Sequence, residues 1–141
     1  MIRLVARLSD LGIDAYTAAA VRGTRVAPCT GMPLVRRIVV GTDFSRGSNR
    51  AVLYAAELAK ALDASLTVLH VDEKAAFVPG SDLAEREGRA DRAQMDALVR
   101  QLAGRHVAAR GVVRPGIPPE GLCDYARGEQ ADLLVIGAQV R

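Results

Sequence analysis

Arg36-Arg37-Ile38-Val39-Val40-Gly41-Thr42-Asp43-Phe44-Ser45 is the stretch that decides the fold. A charged lead runs into a short β-branched apolar burst, which stops at a glycine and is followed by a carboxylate and hydroxyls. Ile38 to Val40 shows no polar alternation, the mark of a strand buried on both faces of a parallel sheet. In open α/β sheets, ligands sit beyond the carboxyl ends of the strands, where loops lead into helices. Gly41, Thr42, Asp43 and Ser45 fall at such an end.

Downstream, strand and helix patterns alternate. Ser48 is placed as the N-cap of a helix whose face carries Val52, Ala55, Ala56, Ala59 and Leu62. Ser65 to Val71 reads as a second strand, and Phe77 to Ser81, with Pro79-Gly80, as a turn. Asp82 opens a long helix with Glu85 at the capping-box position and Met95, Leu98, Val99 and Leu102 as its buried stripe. Gly88 interrupts that helix at a cost of roughly 1 kcal/mol relative to Ala.

His106 to Val113 is a weaker strand. Pro119 and Glu120 suit the start of a short helix with Leu122, Tyr125 and Ala126 facing inward. Asp132 to Gly137 is the last strand. The order predicts an α/β fold: an open parallel sheet of about four strands, helices on both faces, right-handed crossovers.

Upstream of this, residues 1–34 read as an extension of open role, and 35–141 as the α/β domain. Met1 to Leu11 has Arg3, Arg7 and Asp10 on one stripe and predicts an amphipathic helix, with Ala-rich Asp14 to Arg22 continuing it. Gly23 to Pro33 reads as loop. The extension is therefore expected to be helix and loop.

Charge is unevenly placed. Met1–Arg37 holds six Arg and two Asp, a net +4, which leaves the rest of the chain at −1. The body lacks the basic footprint of a nucleic-acid binder. No apolar run is long enough to span a bilayer, and the N-terminus lacks a secretory pattern, so the expected location is the cytoplasm, away from membranes.

Cys29 and Cys123 have no metal-site spacing and are expected to be reduced thiols, Cys123 as a small core filler. His70 is expected to be a hydrogen-bonded core or rim residue, and His106 to be exposed. There is no Ser-His-Asp pattern, no paired carboxylates and no P-loop, so no enzyme is expected. Asp43 could meet a ligand or simply cap its loop. A receiver-type phosphoacceptor would need further acidic metal ligands and a distant Lys, and neither is visible.

Taken in order, Ile38-Val39-Val40-Gly41-Thr42-Asp43-Phe44-Ser45, Leu69-His70-Val71, Gly116-Ile117-Pro118 and Ala131-Asp132-Leu133-Leu134-Val135-Ile136-Gly137 resemble the universal stress protein family over roughly Arg36 to Val140. The resemblance implies a Rossmann-like domain that in many members binds ATP or AMP, with no metal beyond nucleotide-associated Mg. It implies that Asp43 contacts the nucleoside, that Val71 lies by the adenine, and that Gly137 begins a phosphate loop. Gly41, Thr42 and Ala138 complete the candidate binding set.

The sequence departs from the family pattern after Gly137. Val140 stands where the next loop glycine is expected, and the later glycine, its hydroxyl neighbour, the fourth helix and the fifth strand are absent from the sequence. A β-branched residue resists the close backbone approach that a phosphate cradle needs. Two readings follow from the resemblance. One is a module that binds an adenine nucleotide or a protein partner without turnover; the other is a degenerate or truncated module that acts through protein contacts alone. The family's last strand commonly pairs two subunits, so a homodimer is an expectation that its absence puts in question. Leu133 to Ile136 would then be a sheet edge, or be covered by residues 1–34.

Overall fold

The computed structural model describes residues 2–7, 15–21 and 35–139. The elements are β1 (Ile2–Arg7), β2 (Ala15–Val21), β3 (Arg37–Gly41), α1 (Arg46–Leu62), β4 (Ser65–Asp72), α2 (Glu73–Phe77), α3 (Asp82–Gly104), β5 (Ala109–Pro115), α4 (Pro118–Gly128) and β6 (Leu133–Gln139). They build one six-stranded sheet in the order β1-β2-β6-β3-β4-β5. The β3–β4, β3–β6 and β4–β5 pairs are parallel, which gives the predicted four-stranded α/β sheet.

Strand alternation sorts the core into two halves. Ile38, Val40, Leu66, Val68, Leu133 and Val135 point to the side covered by α1 and α3, where they meet Ala51, Val52, Ala55, Met95, Leu98 and Leu102. Val39, Leu69, Val71 and Leu134 point the other way and pack with Tyr125 and Ala126 of α4. Burying each such Val or Leu contributes about 1.5–3 kcal/mol, so β3, apolar on both faces, anchors both halves. The alanines of α1 let the helix axis approach the sheet closely.

The two helix starts differ from the predicted caps. Ser45, not Ser48, caps α1: its Oγ accepts from Ser48 N–H at 3.2 Å. α3 begins at Asp82 as expected, but its cap is Ser81, which accepts from Ala84 N–H, so Glu85 falls one place past the capping-box position. A short helix, α2, was not legible in the sequence; Asp72 Oδ1 caps it through Ala75 N–H at 3.1 Å. Cys123 is exposed rather than a core filler, because α4 turns Leu122, Tyr125 and Ala126 to the sheet. Cys29 lies outside the described residues.

The extension corrects the prediction more sharply. Ile2–Arg7 and Ala15–Val21 are strands, not a helix, and pair antiparallel with each other. β2 also pairs antiparallel with β6 in register from Ala15↔Gln139 to Val21↔Leu133. Alanine's helix preference is a few tenths of a kcal/mol per residue over most alternatives. A ladder that satisfies the open backbone groups of β6 outweighs it.

Candidate functional site

Two of the six candidate residues are also packing positions. Gly41 ends β3 opposite Leu69 of β4 and Ile136 of β6. A Cβ there would come within 2.9 Å of Leu122 Cδ2, so the missing side chain admits α4. Gly137 plays the same part on the opposite face: a Cβ would approach Gly47 O to 2.9 Å and Ser48 Cα to 3.0 Å. Its bareness lets the first turn of α1 rest on β6. Ala138 pairs with Tyr16 of β2, and Val140 lies outside the described residues.

The loop between β3 and α1 is locked by hydroxyls. Thr42 is buried, with Oγ1 3.1 Å from Ser48 Oγ, and accepts from Phe44 N–H at 3.0 Å. Ser48 Oγ in turn donates to Ser45 C=O at 3.1 Å and accepts from Asp43 N–H at 3.3 Å. Phe44 takes a left-handed φ of 61°, uncommon for an aromatic residue and costing of order 1–3 kcal/mol. The hydroxyl lock and the Phe44 ring, 4.7 Å from that of His70, hold it there.

This twist leaves Asp43 exposed on the rim while Thr42 before it is buried and Phe44 after it is half-buried. Oδ1 accepts from Ser45 N–H at 3.0 Å, the turn expected of an Asp that caps its own loop. Partial burial pushes the Asp43 carboxyl up. Hydrogen bonds from the Ser45 and Ser48 side chains and from backbone N–H groups outweigh that and hold it below the ordinary carboxylate range. Asp43 is thus a fixed anion.

His70 buttresses the loop from β4. Its Nδ1 lies 2.8 Å from Thr42 C=O; a carbonyl can only accept, so Nδ1 carries the proton. Nε2 faces Asp91 Oδ2 of α3 at 3.3 Å. The ring ties three elements together, consistent with the rim role expected for it. His106 is exposed, as expected.

Val71 buries its side chain against α4, where Gly121 would clash with it if it carried a Cβ, at 2.9 Å. Its backbone faces elsewhere. Leu69 C=O accepts from Thr42 N–H at 2.9 Å, so Leu69 turns its polar edge towards β3. By the two-residue alternation, Val71 turns its own the same way, past the point where β3 has ended. Asp43, the Val71 backbone and Gly137 therefore gather at the carboxyl ends of three adjacent parallel strands. The strand order reverses between β3 and β6, which makes this a topological switch point. Among the described residues no group of acidic, His and Cys side chains could hold a metal ion.

A parallel α/β sheet whose strand order reverses at β3 defines a Rossmann-like domain. Within that class the chain belongs to the universal stress protein family: residues 35–141 match the model of the Universal stress protein family. A universal stress protein family member from Burkholderia pseudomallei is 27% identical, with a TM-score of 0.64 over 74% of this chain and 82% of that one. UspA from Lactobacillus plantarum shares the fold at 23% identity, with a TM-score of 0.65 over 76% and 78% of the two chains. So does a universal stress protein solved in complex with cAMP, at 23% identity and a TM-score of 0.55 over 70% and 68%. No curated protein matched.

Proposed function

We propose that this chain is a non-catalytic universal stress protein module that recognises the adenosine part of ATP or AMP and holds the phosphates weakly. The observation that carries the reading is the exposed, fixed Asp43 carboxylate at the switch point, beside the free backbone edge of Val71. A carboxylate there suits ribose hydroxyls, and an unpaired strand edge suits the donor and acceptor edge of a purine. The fold relative solved with cAMP supports an adenine nucleotide as the ligand class. Any Mg would arrive with the phosphates.

The phosphate side is the weaker half. Gly137 is engaged against Gly47 and Ser48, and Val140 replaces the next loop glycine. These two facts favour a second reading, in which nucleotide binding is lost and the module works through protein contacts.

Calorimetry of the whole chain with adenosine, AMP and ATP separates them. The proposal expects adenosine and AMP to bind alike, with ATP gaining less than about tenfold, or 1.4 kcal/mol. A larger gain for ATP would show a working phosphate cradle. Silence with all three ligands would leave the protein-contact reading standing.

A further inference from the structure

We propose that the cleft between α2, α3 and the end of β5 is a second ligand site, distinct from the adenosine rim, which takes a small amphipathic anion. Its volume is about 410 Å³, within the range of small-molecule sites, and none of Thr42, Asp43, Val71 or Gly137 lines it. The walls are apolar where Ala75, Pro79, Ala84, Val113 and Pro115 meet.

Gly88 is part of the cleft wall. It sits in the interior of α3, where glycine costs about 1 kcal/mol against alanine. Gly121 of α4 admits a close neighbour, Val71, whose Cγ1 would lie 2.9 Å from an added Cβ. At Gly88 an added Cβ would meet nothing within 4 Å, so a longer side chain has room to extend there.

Charge orients the occupant. Asp72 is buried at the inner wall, with Oδ1 already accepting from Ala75 N–H. Arg89 and Arg92 line the cleft from α3 together with Glu85; Arg89 pairs with Glu85 at 3.5 Å, and Arg92 has no carboxylate within ion-pair distance among the described residues. An apolar body against the apolar wall with its acidic head on Arg92 answers that unpaired charge.

The test uses the whole chain, with 8-anilinonaphthalene-1-sulfonate as fluorescent reporter and N-phenyl-1-naphthylamine, the same rings without the sulfonate, as its neutral counterpart. One saturable equivalent of the sulfonate is expected, with the neutral amine, and Arg92→Gln with the sulfonate, each about tenfold weaker. Gly88→Leu should abolish binding while raising Tm, because leucine favours the helix and fills the cleft. That separates lost binding from lost folding. Unchanged binding in Gly88→Leu, equal binding of the neutral amine, or no saturable binding would overturn the site. Displacement of the reporter by AMP would overturn its independence from the rim, and calorimetry with AMP alone reports separately on the adenosine reading.

Discussion

Gly137 of β6 lies directly beneath Ser48 of α1: a Cβ on the glycine would stand 3.0 Å from the serine Cα and 2.9 Å from Gly47 O. Both obstacles are backbone, in the first turn of a helix fixed by the hydroxyl lock. Gly137→Ala is therefore expected to cost about 1–3 kcal/mol by overpacking, measured by urea denaturation. Gly41→Ala meets only the end of the Leu122 side chain, which can rotate, and should cost less. Equal effects would mean that α1 is not held against β6 as described.

Ser45 caps α1 and shares the network that fixes Asp43. Ser45→Ala should destabilise the fold by about 0.5–2 kcal/mol and weaken adenosine binding as well, since the carboxylate keeps the Ser45 N–H but loses the hydroxyl that also helps to hold it. A stability loss with unaltered adenosine affinity would argue that the cap and the binding rim are separate.

Asp43 gives a pH prediction with a definite sign. Its folded value lies below the unfolded 3.8, so its contribution is fully present above 3.8 and is lost as pH falls through the lower folded value. Asp43→Asn should flatten that part of the acid-unfolding curve and leave neutral pH little changed, while adenosine affinity falls about tenfold. An acid limb of equal slope in both proteins would refute the hydrogen-bonded carboxylate.

Tyr125 is buried with a hydroxyl that finds no hydrogen-bond partner among the described residues, and burial pushes its phenol up. Removing an unpaired buried hydroxyl removes a desolvation cost, so Tyr125→Phe should be neutral or more stable by up to about 1 kcal/mol. A clear loss of stability would reveal a partner for that hydroxyl.

Removing residues 1–34 should unmask β6. Hydrogen exchange at Leu133–Gln139 is expected to quicken, and the trimmed protein to self-associate through the bared edge. Unchanged protection along β6 would show that β2 does not cover it in solution.

Much of this molecule was written locally. Ile38-Val39-Val40 is apolar without alternation because β3 is covered on both sides, and the spacing of Met95, Leu98 and Leu102 marks the face α3 buries. Such patterns are readable because each reports its own burial. The placement of Asp43 after β3 was equally legible, since the ends of parallel strands collect ligand-facing loops.

What tertiary structure alone decided were matters of proximity between distant segments. The extension reads as helix by its own spacing, and the open edge of β6 settled it as strand. The resemblance implies a phosphate loop at Gly137, yet the residue's neighbour in space is Ser48, and no local pattern announces a backbone contact across 89 residues. Nor does any local pattern announce that Gly88 lines a cleft with Asp72, Val113 and Pro115. Side-chain periodicity encodes which face is buried; it does not encode what lies against it.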